Sequence, residues 1–196
     1  MKKTILLVLL LSGLNGISQE KLFRFGFLLN TNVTSLSADP EIGTVKPQLA
    51  FGGSAFARLK ILFLYAELDA GFASHEVNVS NTVLGTNYDY NYNFNGLDLS
   101  GILGWRVIGI GKLGNFRLFT GFNINNYTKI KVTSNGSSVT DPSINTGNSA
   151  FLFGTGVDIW RIVFNLKYNI GLTDLSSLST QEMKSSSFVV SLGIKF

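Results

Sequence analysis

Ten charged side chains share one recurring setting in this chain: Arg24, Arg58, Glu67, Asp69, Asp98, Arg106, Arg117, Asp158, Lys167 and Lys195 each lie between two apolar or aromatic residues. Acids and bases gathered on one face can move protons or close ionic networks, and buried charges of this kind demand partners. Catalysis has little else to work with. His75 is the only histidine, beside Glu76 at the start of a predicted outer loop, where a base can serve a barrel-rim enzyme; a lone loop histidine is read here as solvated. No metal-ligand spacing, phosphate-cradling glycine loop or cofactor motif is present. Tyr88, Tyr90, Tyr92 and Phe94 form a further period-two stripe. It reads either as an outer contact, an exposed strand edge that captures a chain or glycan, or as an interfacial aromatic girdle on a strand running past the membrane. The girdle is preferred.

The elements that must position these groups are strands. At the C-terminus Phe188, Val190, Leu192, Ile194 and Phe196 share one face, against Ser187, Ser191, Gly193 and Lys195 on the other. Seven earlier segments repeat the alternation, with outward stripes beginning at Phe23, Phe51, Leu62, Leu97, Phe116, Phe151 and Ile162. The eight stripes hold 40 positions and none is Asp, Glu, Lys, Arg or His. At 14% charge, about six charged residues would fall there by chance, each cation costing about 2–4 kcal/mol at mid-bilayer. Each stripe is about ten residues long, the span of a tilted transmembrane strand. The expected fold is all-β: an eight-stranded antiparallel up-and-down transmembrane barrel with a filled polar lumen.

The chain has 196 residues, no cysteine and 45% hydrophobic residues. Its longest helix-like apolar run, Ile5 to Leu14, is too short to span a bilayer as a helix. With Lys2 and Lys3 before it and Gly16-Ile17-Ser18 after it, residues 1–18 read as a secretory signal peptide, leaving 19–196 as the barrel domain. Fourteen basic and 12 acidic residues remain, too even a balance for a nucleic-acid partner.

Long and short connections alternate. The long ones are Thr31–Gln48, Ser74–Asn93, Thr128–Asn148 and Leu172–Ser185; the short turns fall near Arg58–Lys60, Val107–Asn115 and Trp160–Arg161. Small outer-membrane barrels put long loops outside and both termini in the periplasm. Threaded so, Arg24, Arg58, Arg106 and Arg117 fall near periplasmic strand ends with Asp158 close by, while Glu67, Asp69, Asp98 and Lys167 lie deeper. The sequence therefore predicts a lower arginine-rich layer and a mid-lumen carboxylate–lysine layer, with Asp98 and Lys167 as its pair. Asn-x-Ser/Thr sites at Asn32, Asn78, Asn126 and Asn135 are expected around the outer mouth.

With the strands placed, Leu166-Lys167-Tyr168-Asn169-Ile170-Gly171-Leu172-Thr173 resembles the seventh-strand "R-Y-x-x-G-L" signature of the PorT-like outer-membrane β-barrel family of Gram-negative bacteria. Leu64-Tyr65-Ala66-Glu67-Leu68 is similar to that family's third strand with its inward glutamate. Leu97-Asp98-Leu99-Ser100 is similar to its "L-E-I-P" fourth strand, with Ser100 where proline is usual. Thr120-Gly121 and Phe153-Gly154-Thr155-Gly156 match its strand glycines. The resemblance implies an eight-stranded outer-membrane barrel without assigned enzymology, and a role beside a protein-secretion apparatus as known for the family's namesake. The terminal strand ending at Phe196 resembles the signal read by the barrel-assembly machinery, with Ser191 where glycine is common.

The reading is a non-catalytic barrel in outer-membrane lipid, without a cofactor, that stabilises the envelope or presents its outer loops to an extracellular or secretion-apparatus partner. Its rivals are a small-solute channel and a soluble lipocalin-like barrel. In the latter the pleat is inverted, with apolar side chains inside and charges in solvent.

Overall fold

In the computed structural model, residues 22–39, 44–83, 86–110, 114–134, 137–139, 147–174 and 182–196 are described. The proposed signal peptide lies outside them. Among the described residues there is no helix long and apolar enough to cross a membrane.

The described residues form ten strands in order: β1 (Phe23–Asp39), β2 (Thr44–Pro47), β3 (Leu49–Ile61), β4 (Leu64–Val83), β5 (Thr86–Ile110), β6 (Gly114–Ser134), β7 (Ser137–Val139), β8 (Gly147–Ile159), β9 (Ile162–Gly171) and β10 (Glu182–Lys195). Eight of them form a closed antiparallel ring, β1-β3-β4-β5-β6-β8-β9-β10, each paired with its chain neighbour. Closure is made by β1 on β10, from Gly26 opposite Lys195 to Asp39 opposite Glu182. β2 adds to β4 and β7 to β6 beyond the ring. A ring satisfies every ladder without a free edge, which a strand structure in lipid requires.

The pleat has the expected phase. Phe25, Phe27, Leu29, Leu68, Phe72, Leu99, Leu103, Phe122, Phe153 and Leu192 are exposed, Leu29 by 75% and Leu68 by 69%. Their sequence neighbours Leu28, Glu67, Asp69, Ser100, Ile102 and Ser191 are buried. The inverted, lipocalin-like pleat is thereby excluded, because the ionic set lies inside and the aliphatic set outside.

Two features of the connections differ from expectation. The turn placed near Arg58–Lys60 lies at Leu62–Phe63, since β3 stays paired through Ile61 opposite Leu64. Neither that turn nor Trp160–Arg161 holds a turn-forming residue; Leu62 and Trp160 take left-handed φ values of 58° and 52° instead. Both are large apolar side chains more than half exposed, and Arg161 lies 5.2 Å over the Trp160 ring. Much of the described part of the predicted long loops is strand. β4 and β5 continue as one hairpin from Phe72–Leu97 out to Val83–Thr86, and β6 accompanies β5 as far as Ser134. The ring therefore rises on this side as a tall wall at the end opposite the short turns.

Candidate functional site

The interior is the candidate site, and its centre is Asp158. This carboxylate receives Arg58 Nη1 at 2.9 Å, Arg117 Nη2 at 2.8 Å and Lys195 Nζ at 3.0 Å. Arg58 also donates through Nε to Glu67. Arg117 donates to Tyr65 Oη at 3.0 Å and to Asn165 Oδ1 at 2.7 Å. Tyr65 is held between the two guanidiniums, 4.9 Å from Arg58 and 5.4 Å from Arg117, while Phe56 supports Arg58 at 5.1 Å. Groups from β3, β4, β6, β8, β9 and β10 thus meet on one lattice. Arg58 and Asp158 stand on strands at opposite sides of the ring, so the lattice crosses the full lumen.

Local packing permits this. Gly104 lies against the Tyr65 ring, and a Cβ there would stand 2.2 Å from that ring. A Cβ on Gly156 would meet Asn165 Oδ1 at 2.5 Å and Arg117 Nη2 at 2.7 Å. Glycine at these two positions leaves the room that the aromatic ring and the guanidinium occupy.

The predicted arginine layer therefore forms around Asp158, with Glu67 belonging to it and not to the deeper layer. Arg24 and Arg106 lie at its rim, lining the same small cavity as Arg58 and Arg117. The deeper pairing also differs. Lys167 Nζ meets Asp69 Oδ2 at 2.6 Å, whereas Asp98 accepts from Asn123 Nδ2 at 2.8 Å and more weakly from Ser100 Oγ at 3.4 Å. β9 and β4 are diametrically opposed in the ring, so Lys167 extends straight across to Asp69, and neutral donors beside Asp98 take up that carboxylate. The lumen is less polar than expected. Tyr65, Ile102, Phe119 and Leu152 form one buried cluster, and Leu28, Phe56 and Val163 another.

Toward the tall wall the interior becomes asparagine-rich, then apolar. Asn125 donates to Asn123 at 2.6 Å and Asn148 to Ser185 at 2.9 Å. Beyond them Leu36, Val77, Val79, Phe94 and Tyr127 are buried. His75 belongs to this region and not to a solvated loop. It is 4% exposed, with Nδ1 2.8 Å from Thr34 Oγ1 and the Tyr127 ring 5.9 Å away. Glu76 points to the opposite face, where Asn93 donates to it at 2.6 Å. The sequence-adjacent pair is split by the pleat and makes no acid–base dyad.

The tyrosine stripe is likewise corrected. Phe94 is 2% exposed and stacks on Tyr92 at 6.3 Å, so this part of the stripe faces inward and forms no lipid-side girdle. At Tyr90 and Tyr92 the strand is paired on both sides, to β4 and β6, which leaves no edge for a captured chain. The side chains of Tyr88 and Tyr90 lie outside the described residues. Asn32, expected at the outer mouth, is buried and donates to Ser74 O at 2.8 Å; Asn135 is outside the described residues. Phe196 faces outward, stacks on Phe25 at 5.6 Å and donates its backbone N–H to Phe25 O at 2.8 Å, fastening the closure. Among the described residues no cluster of His, Cys, Asp or Glu suits a metal ion.

Residues 17–177 match the family described as outer membrane protein beta-barrel domain. The fold is similar to the outer membrane protein OprG from Pseudomonas aeruginosa, at 16% identity and a TM-score of 0.52, over 89% of this chain and 95% of that one. It is also similar to Neisserial surface protein A, at 12% identity and a TM-score of 0.48, over 88% and 97%. Ail, the attachment invasion locus protein of Yersinia pestis, is 12% identical with a TM-score of 0.45, over 89% and 99%. No curated protein matches the chain in sequence.

Proposed function

The chain belongs to the outer membrane protein beta-barrel domain family, and from that premise we propose that it is a closed, non-catalytic barrel whose tall hairpins carry its interactions outside the cell. The observation behind this reading is the lattice on Asp158, where side chains from six strands interlock across the lumen. Conduction of small solutes needs a continuous wet path, and this layer together with the apolar groups around Phe94 and Tyr127 opposes one. Reconstitution into planar bilayers tests it. Baseline current at 1 M salt agrees with a filled barrel; resolved unitary steps overturn it.

The orientation that suits this role places the short turns and both termini in the periplasm. Supporting it are the two-residue turns at Leu62–Phe63 and Trp160–Arg161 set against the extended β4–β5–β6 wall. Phe196, lipid-facing at the last position of the closure, suits recognition by the barrel-assembly machinery. The finer likeness to PorT-like barrels, and with it a secretion-apparatus partner, rests mainly on the segment 166–173 at the end of β9.

A further inference from the structure

Cationic side chains converge at the short-turn mouth. Arg24, Arg58, Lys60, Arg106, Arg117 and Asp158 line a cavity of about 20 Å³ there. Lys195 joins them through Asp158, and Glu67 through Arg58. Among the described residues, six cationic side chains thus converge around Asp158 and Glu67, with Lys60 and Arg106 engaged in further interactions as well. Arg58 Nη2 and Arg117 Nε are buried donors without a hydrogen-bond acceptor, on residues only 3% and 2% exposed, while Asp158 Oδ1 accepts no hydrogen bond and is held by its ion pair with Arg117 Nη2. A charged donor buried without an acceptor is costly, and a convergent set of guanidiniums is the arrangement that oxyanions satisfy.

We propose that this mouth binds a phosphate-class oxyanion, with Arg24, Lys60 and Arg106 around its rim and Arg58 and Arg117 at its floor. The cavity admits one or two oxygen-sized atoms. The terminal oxygens of a phosphate enter it, and the rest of the anion stays in the open mouth. Tyr65 and Asp158 position the floor guanidiniums, and Asp158 limits the positive field so that the cations stand together without a ligand. If the short turns face the periplasm, the phosphate comes from a phospholipid headgroup of the inner leaflet or from solution. Only the source depends on that orientation.

The test uses the full chain folded in neutral detergent micelles, which have no sides, so its outcome is independent of orientation and conduction. Urea unfolding midpoints are compared in sodium phosphate and in sodium chloride of matched ionic strength. A second arm adds short-chain phosphatidic acid against the matching phosphatidylcholine. Expected is stabilisation by at least one phosphate source, with apparent affinity about tenfold weaker in Arg24→Gln and unchanged in Lys46→Gln at the opposite end, the loss typical of one charge-assisted hydrogen bond. A response to phosphatidic acid alone assigns the site to lipid; a response to inorganic phosphate assigns it to dissolved anions. Equal effects of phosphate and chloride with no phosphatidic acid response, or an undiminished response in Arg24→Gln, overturn the proposal. Should Arg24→Gln not fold, the unmodified chain decides through the ³¹P resonance of phosphate. Broadening that sulfate reverses upholds the site, and no broadening removes it.

Discussion

Asp158 and Asp98 are both aspartates on the inward phase of a strand, yet their surroundings predict different consequences of the same change. Asp158→Asn strips the shared acceptor from Arg58, Arg117 and Lys195 and leaves buried cations facing one another, so the barrel should lose about 3–5 kcal/mol of stability. Asp98→Asn meets neutral partners, Asn123 and Ser100, and should cost less than about 1.5 kcal/mol. Asp69→Asn should resemble Asp158→Asn, because it removes the one carboxylate that Lys167 Nζ bonds directly among the described residues. Equilibrium urea unfolding in micelles measures all three. Equal losses for Asp98→Asn and Asp69→Asn would contradict the pairing described. Gly104→Val sets a side chain against the Tyr65 ring and should cost about 1–3 kcal/mol by overcrowding. That inward-facing charges exist was legible from the sequence, since each stands between apolar neighbours. Which acid Lys167 chooses was not, because reach across a lumen depends on which strands oppose, a property of closure and not of spacing.

Individual strands show the same division between what periodicity reveals and what it hides. The outward phase of every membrane stripe was readable, because lipid tolerates no charge and leaves an uninterrupted apolar series. Phe56, Ile102, Phe119 and Leu152 were missed as packing groups, since an inward apolar residue beside an outward apolar stripe gives no alternation to detect. In sequence the outer halves of β4 and β5 read as loop, because Asn, Ser, Thr and Tyr dominate them. Ladder pairing continues there regardless, with Asn91 donating to Asn78 at 2.7 Å across the hairpin. A charge placed on the apolar phase reports the membrane directly. Leu68→Arg should cost about 2–4 kcal/mol in lipid vesicles, and Ser80→Arg, on the hairpin beyond the belt, should be near neutral. At the Leu62–Phe63 turn, Leu62→Asn should stabilise by up to about 1 kcal/mol, as asparagine tolerates the left-handed conformation that leucine resists. A loss of stability on that change would show that the Leu62 side chain outweighs its backbone strain.

The whole molecule joins a lipid-facing shell to an interior locked by ions, with the tall wall at one end and a cationic mouth at the other. The absence of cysteine makes its placement testable by single substitutions. In intact cells, Ser80→Cys should react with a membrane-impermeant maleimide and Arg161→Cys only after the outer membrane is opened; the reverse would invert the proposed orientation. The central claim is the phase of the pleat, and nitroxide scanning along 97–105 in bilayers tests it most directly. Accessibility to oxygen dissolved in the acyl chains should be high at positions 97, 99, 101, 103 and 105 and low at 98, 100, 102 and 104. A flat profile, or maxima at the even positions, would contradict the structure on which the whole account stands.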